Sequence, residues 1–424
     1  MSKWRWILQQ YGQRLWVRVW FFCLAAVGVA LCGAMVDKAG SLPRFIQVEA
    51  EAVSGILDIL ASSMLAVTTF SLSIMVSAYS AAASSTTPRA NKLMLRDNTS
   101  QNALSVFIGA FLFSLAGIIG LSSGLYGGGG RLVLFLATLG VVVLIVVVLI
   151  GWINYLSRLG RVGETIDLVE RATAGAMRAR GLAPCLGGCP MDAEAGLPHG
   201  KPLLSPAIGY IQYIDMAGLS RIAEDRKLDV HLQVLPGHFN DSVQPLMHVT
   251  GNADEEACAA LIAAVTIGDE RSFDQDPRFG LVVLSEIACR ALSPAVNDPG
   301  TAIDVIGTGL RLMGQWLDMD RAQDGKVEFP RVHVPALRLC DMFEDLFWGI
   351  ARDGALNVAI GVRLQKAFLA LAQMEGGKAA QEAALLSRIA CQFSDAALVI
   401  EADRKRVGEI AAEVQVAAEG KAVA

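Results

Sequence analysis

The residues best placed for chemistry form a polar stripe on one predicted helix. At 100° per residue, a helix through residues 56–79 carries an acid and several hydroxyls within about a 100° arc. The stripe consists of Asp58, Ser62, Thr69, Ser73 and Ser77, and it continues to Ser80 and Ser84. Hydroxyl and carboxylate oxygens in a membrane-spanning helix can line a hydrated path for ions. Alternatively, each hydroxyl bonds the carbonyl four residues earlier, and the stripe stabilises helix packing within one bundle.

The first alternative has a consequence for assembly. A single helix cannot enclose water, so a hydrated path requires several copies of the chain around one axis. A ring of Asp58 carboxylates would then favour cations. Three basic residues after the stripe, Arg89, Lys92 and Arg96, are predicted at the cytoplasmic mouth. Their charge opposes the cation preference.

A second polar cluster lies between two predicted helices, in Arg290-Ala-Leu-Ser-Pro-Ala-Val-Asn-Asp-Pro299. Pro294 ends the first helix, Asp298 is suited to cap the second, and Pro299 suits a first helical turn. Free amides at the new N-terminus also attract ligands or ions. The segment is therefore either a structural corner or a binding site. The candidate residues are Glu286, Arg290, Ser293, Asn297 and Asp298.

Enzymatic patterns are lacking. The sequence contains no phosphate-binding loop, no His-Glu-x-x-His and no Gly-x-Ser-x-Gly. The five histidines are isolated along the chain, and Cys185 and Cys189 have no second ligand pair nearby, which favours a linker over a zinc site. We therefore predict no catalytic activity, no cofactor and no metal.

Four apolar segments are long enough to cross a bilayer. They cover approximately Leu15–Val36, Ile56–Tyr79, Ala103–Tyr126 and Leu132–Leu156. Basic residues are concentrated before the first segment, after the second and after the fourth, which predicts that both termini are cytoplasmic. Gly127–Gly130 predict a tight hairpin between the last two spans.

Charged residues recur every few positions after Gly160, which is typical of a water-soluble region. The predicted fold is therefore a membrane α-helical domain with about four transmembrane helices, followed by a cytoplasmic α+β domain. The predicted parts are residues 1–160 (transmembrane), 161–204 (juxtamembrane helix and linker), 205–252 (small β-rich subdomain, barrel or sandwich) and 253–424 (helical domain). The net charge of −5 lacks the basic face that nucleic acid requires.

Several motifs resemble one known family. They are Phe70-Ser-Leu-Ser73, Thr87-Pro-Arg89, Gly209-Tyr-Ile-Gln-Tyr-Ile-Asp215, Pro236-Gly-His-Phe239 and above all Arg290–Pro299 after Gln275-Asp276. The chain resembles the bacterial predicted membrane proteins grouped as domain of unknown function 2254. The resemblance implies a multi-pass protein of the bacterial inner membrane and brings no established chemistry.

Two functions follow as hypotheses. The first is a homo-oligomeric ion channel or transporter in the lipid bilayer, which passes ions or small solutes along the stripe and has a cytoplasmic vestibule. The second is a non-conducting membrane sensor or scaffold whose soluble domain binds a ligand or a protein.

Overall fold

The computed structural model describes residues 19–20, 23–24, 27–28, 49–95, 98–191, 200–321, 327–374 and 377–422. These residues form two compact units. The N-terminal unit comprises the described parts of 7–84 and 91–164. The C-terminal unit comprises residues 85–90 and the described part of the chain from 165 onward.

The N-terminal unit is helical. Its helices are α1 (Ala50–Ser85), α2 (Pro88–Leu95), α3 (Asn98–Ser122) and α4 (Gly128–Leu156), with α2 continuing from the C-terminal unit. Among the described residues, three stretches are long and apolar enough to cross a membrane, namely Ala50–Ala81, Thr99–Ser122 and Gly128–Leu156. They correspond to the second, third and fourth predicted spans. The first predicted span, Leu15–Val36, lies mostly outside the described residues.

The turn between α3 and α4 closes the predicted hairpin. Gly124 adopts φ +68°, and the Leu125 amide donates to the Gly120 carbonyl at 3.0 Å. Gly120 lies under the Tyr126 ring, where an added Cβ would be only 2.4 Å from Tyr126 Cε2, and Gly117 contacts Leu57 of α1 in the same way. Gly117 thus permits close approach of α1 and α3, whereas Gly120 accommodates an aromatic ring of the turn.

The C-terminal unit mixes helices and short strands. Its N-terminal half contains α5 (Val162–Leu182), a short 3-10 turn (Pro184–Gly187), β1 (Gly188–Pro190), β2 (Lys201–Leu203), β3 (Gly209–Ile214), α6 (Met216–Arg226), β4 (Asp229–Leu232), β5 (Phe239–Asn240), β6 (Met247–Thr250), α7 (Glu255–Ala263) and β7 (Val265–Gly268). The remainder contains α8 (Pro277–Ala291), α9 (Pro299–Arg321), β8 (Phe329–Val334), α10 (Leu339–Asp353), α11 (Val358–Gln373), α12 (Gly377–Ala397) and α13 (Glu401–Ala422).

The strands form two sheets, and their composition corrects two of our predictions. The larger sheet has the order β1-β8-β4-β6-β2, and the smaller one β5-β3-β7. Residues 161–204, interpreted as a juxtamembrane helix and linker, supply β1 and β2. Residues 253–424, interpreted as helical, supply β7 and β8. The division into a β-rich part at 205–252 and a separate helical part is therefore wrong, because β8 pairs in parallel with both β1 and β4.

One apolar core connects both sheets. Ile211 and Ile214 of β3, Val230 of β4 and Val332 of β8 are fully buried together with residues of α6 and α7. The helices α8 to α13 bury aromatic side chains: Phe347 packs against Phe343 and Phe368, with ring centroids 6.0 and 5.1 Å apart.

Candidate functional site

The predicted polar stripe lies on the exposed face of α1. Asp58, Ser62, Thr69, Ser73 and Ser77 are all exposed in the single chain. The buried residues of the helix lie about 180° away around its axis. They are Val53, Leu57, Leu60, Met64, Ser71 and Met75. The stripe is thus not part of the packing face within the described bundle. Large apolar side chains border it, with Ile59 69% and Phe70 66% exposed.

Three hydroxyls of the stripe, those of Ser62, Thr69 and Ser73, bond to their own helix. Ser62 Oγ donates to the Asp58 carbonyl at 2.9 Å, and Ser73 Oγ donates to the Thr69 carbonyl at 3.0 Å. Thr69 Oγ1 donates to the Leu65 carbonyl at 2.9 Å. Because each hydroxyl hydrogen is used in this way, the oxygen presents lone pairs outward. The stripe is therefore a series of acceptors beside one carboxylate.

A different serine of α1 holds the bundle together. Ser71 is 1% exposed, and its Oγ accepts a hydrogen bond from Trp152 Nε1 of α4 at 2.8 Å. Trp152 is buried and stacks on Tyr155, with ring centroids 5.4 Å apart. Of the alternatives left open above, self-bonding holds for the stripe, whereas helix-to-helix bonding is carried by Ser71.

The corner between α8 and α9 is built by local hydrogen bonds. Asp298 accepts from the Thr301 amide at 3.2 Å and from Thr301 Oγ1 at 2.6 Å, and these bonds hold the pKa of Asp298 below its ordinary value. Asn297 adopts φ +49°, and Ser293 Oγ donates to the Arg290 carbonyl at 2.7 Å. Asp298 thus caps α9. Binding at this corner stays a prediction, since Asn297 and Asp298 are exposed and already engaged in the turn.

The structure joins two of the predicted residue sets. Arg89, expected at a cytoplasmic mouth, forms an ion pair with Glu286 of the corner cluster. Both residues belong to the C-terminal unit. Lys92 is exposed, and Arg96 lies outside the described residues. The carboxylate of Glu286 therefore offsets the charge of Arg89.

Sequence reasoning missed a row of histidines on the larger sheet. The register pairs His231 with His333 on one side and with His248 on the other, and Cys189 is paired with His333. The rings of His231 and His333 stack at 4.3 Å with an interplanar angle of 9°. Burial, together with His333, lowers the pKa of His231. The alternation of each strand predicts outward histidines, but only the register brings them together.

The row does not form a metal centre in the described part of the chain. Among these residues, no group of three or more His, Cys, Asp or Glu side chains has an arrangement that holds a metal ion. Parallel stacked rings explain this for the histidines, because their nitrogen lone pairs do not converge on one point. A second feature that sequence reasoning missed is the buried guanidinium of Arg180, which is described below.

Comparison with known proteins identifies the family. The sequence profile of a family described as "Predicted membrane protein (DUF2254)" matches residues 12–370. The chain belongs to this family. The match confirms the resemblance drawn from the motifs and, with the three apolar helices, a membrane location. The family description names no activity.

Relatives among curated proteins are uncharacterised. Proteins of Mycobacterium bovis and of Mycobacterium tuberculosis strain H37Rv are each 25% identical to this chain over 318 residues. The alignment covers 71% of this chain and 60% of each relative, so the chain spans about 60% of the length of the curated relatives it matches. No solved structure matches the chain.

Proposed function

We propose that this protein is a homo-oligomeric membrane channel whose path is lined by the polar stripe of α1. One observation carries the proposal: the stripe is exposed on the face of α1 opposite the one that packs in the bundle. An acid and a series of hydroxyls are better solvated by water than by hydrocarbon. Several copies around an axis would enclose that water.

The chemistry of the stripe favours cations. Ser62, Thr69 and Ser73 donate their hydrogens to the helix backbone, which leaves acceptor oxygens facing outward. Acceptor oxygens and an Asp58 ring replace part of a cation's hydration shell. The pairing of Arg89 with Glu286 reduces the positive charge that would otherwise oppose this preference.

We place the protein in the bacterial inner membrane with both termini cytoplasmic, as the basic residues predict. In this arrangement the C-terminal unit forms a cytoplasmic vestibule or regulatory domain without enzymatic activity or nucleic-acid partners. Reporter fusions after Ala424 and within residues 37–49 test the orientation. Periplasmic activity of the C-terminal fusion would reverse it.

The central test is cysteine accessibility in a variant without native cysteines. Ser62→Cys, Thr69→Cys and Ser73→Cys lie on the stripe. Val147→Cys is the matched control, because Val147 of α4 is 64% exposed yet belongs to an apolar surface. After reconstitution, a charged water-soluble thiol reagent should modify the stripe cysteines and block current at least about tenfold faster than at position 147.

Equal reactivity of the stripe and control cysteines would show that α1 faces lipid, and the channel would be wrong. If the stripe cysteines block current but Asp58→Asn leaves ion preference unchanged, the hydrated path is supported, but cation selection by a ring of Asp58 carboxylates is not.

A non-conducting sensor is the second candidate, and a specific observation favours it. The C-terminal unit contains a cavity with a buried cationic side chain. A lipid-reconstituted protein that binds a ligand but never conducts would favour this function over a channel.

A further inference from the structure

A cavity of about 260 Å³ lies within the C-terminal unit, at the end of α5. Its wall also includes the 3-10 turn, β3, the start of α6 and the first residues of β8. The apolar part of the lining consists of small alanines of α5 and α6 together with Leu186, Met216 and Phe329. This volume lies just below the ~300 Å³ at which pockets for drug-sized ligands begin. The cavity therefore fits a small molecule with an apolar body.

One cation is buried in this wall. Arg180 is 5% exposed, and its Nη2 donates to the Gln275 carbonyl at 3.1 Å. Within the described part of the chain, its buried Nη1 has no hydrogen-bond partner. An unmet donor on a buried charged group is costly, since the group has lost water without a replacement. Arg180 is thus the one side chain of the cavity wall that most needs an acceptor.

Two other partly buried arginines of the same unit show the contrast. Arg271 pairs with Asp276 at 2.8 Å, and Arg278 pairs with Asp341 and Asp345 at 2.7 and 2.6 Å. Each of these guanidinium groups has a carboxylate within hydrogen-bond distance. Among the described residues, Arg180 donates to a backbone carbonyl, and the Asp276 carboxylate near it is already engaged by Arg271. In this part of the chain the other two arginines have a carboxylate partner, whereas Arg180 has none.

The guanidinium keeps its charge at neutral pH. Burial lowers the pKa of Arg180 to about 10, partly offset by Asp276, and this value leaves the group protonated. Burial and two nearby carboxylates raise the pKa of Tyr213, also in the wall, to about 12. The phenol is therefore neutral. Within the lining, Arg180 supplies a positive charge beside the carboxylates of Asp274 and Glu328.

The remaining charges limit the ligand. Asp274 and Glu328 also line the cavity, and their carboxylates repel a multiply charged anion such as phosphate. A single carboxylate matches the planar guanidinium and adds only one negative charge.

We propose that the cavity binds a small monocarboxylate, whose oxygen accepts a hydrogen bond from Arg180 Nη1 while its apolar part contacts Leu186, Met216 and Phe329. This site lies within the C-terminal unit and does not depend on ion conduction. It would make that unit a ligand-binding domain in either a channel or a sensor.

The test is equilibrium dialysis of the full chain in detergent with radiolabelled butyrate at neutral pH. Arg180→Met removes the charge, and Arg178→Met is the matched control, because Arg178 is an exposed arginine of the same helix that does not line the cavity. Ala217→Phe fills the cavity from its exposed rim and leaves Arg180 intact. Butyramide, which has nearly the same shape without charge, is the competitor control.

The native chain and the Arg178→Met variant should bind butyrate saturably, and butyramide should not displace it. Arg180→Met and Ala217→Phe should each weaken binding at least about tenfold. Absence of saturable binding to the native chain, or native affinity in either cavity variant, would overturn the proposal. Displacement by inorganic phosphate at equal concentration would contradict the monocarboxylate preference. If Arg180→Met fails to fold, Ala217→Phe decides the outcome alone.

Discussion

The two units of the molecule both bury apolar side chains, but they differ in what their surfaces expose. In the N-terminal unit, the outer surface of α4 is apolar, with Val143, Val147 and Ile150 each 64% exposed, while a Ser71–Trp152 hydrogen bond lies inside. In the C-terminal unit the interior is apolar, and fully buried Phe343, Phe347 and Phe368 form part of it. The difference follows from the solvent, since hydrocarbon offers no hydrophobic gain between helices.

The units also satisfy their polar groups differently. The hydroxyls of Ser62 and Ser73 in α1 donate to carbonyls of their own helix, because a hydroxyl in hydrocarbon has no water as a hydrogen-bond partner. In the C-terminal unit, charges pair across elements, as Arg278 of α8 does with Asp345 of α10. An exposed apolar side chain is therefore unusual, and so a candidate for function, only in the C-terminal unit. An exposed polar side chain is unusual in the same sense only in the N-terminal unit. By that criterion the stripe of α1 stands out. Arg180 stands out for a different reason, because it is a buried charge without a carboxylate partner among the described residues.

Leucine truncation gives the largest expected contrast between the units. Leu346 of α10 is fully buried and contacts Gly309 of α9, so Leu346→Ala should lower the free energy of unfolding by about 2–5 kcal/mol. Leu136 of α4 is 58% exposed, and Leu136→Ala should change the free energy of unfolding by less than about 0.5 kcal/mol. Hydrogen exchange of the full chain in detergent measures each unit separately. Equal losses would contradict the contrast.

A serine pair on α1 sharpens the comparison within one helix. Ser71→Ala leaves the buried Trp152 Nε1 without its acceptor and should cost about 0.6–1.7 kcal/mol. Ser73→Ala removes a hydroxyl that bonds only its own helix, and helix stability should be nearly unchanged. Exchange protection of α1 and α4 is the measurement. A larger effect of Ser73→Ala would mean that the exposed face is packed in the assembled protein.

The histidine row gives the smallest expected effect. Burial and His333 hold the folded-state pKa of His231 below its ordinary 6.5, partly offset by Asp229, while His248 adds to the lowering. The folded state thus binds fewer protons than the unfolded state. The contribution of His231 to the free energy of unfolding is therefore complete above about pH 6.5, and it declines as the pH falls through the folded-state pKa.

The measurement is urea unfolding of the full chain between about pH 7.5 and pH 5.5. His231→Gln should flatten the decline in stability on acidification. His238→Gln is the control, because His238 is exposed and lies outside the row. A decline that His231→Gln leaves as steep as before would assign the pH dependence to other groups.

Local sequence patterns predicted much of the helical structure. Pro299 begins α9 with Asp298 as its cap, as the sequence of the corner predicts, because proline and capping residues act over a few positions. The three described apolar helices likewise follow from their length, since a run of that extent satisfies its backbone in lipid only as a helix.

Only the tertiary structure decided the partners of distant segments. Short strands such as β1 and β2 have no stability of their own. The position of β8 in the sheet depends on pairing with β1 and β4, which no local sequence pattern encodes. The same long-range register aligns His231 with His333 and His248. The stripe of α1 was visible in the sequence, but that it faces away from the bundle was not. Arg180 belongs to the same class: its residue type is ordinary, and packing alone buries it without giving its Nη1 a hydrogen-bond partner among the described residues.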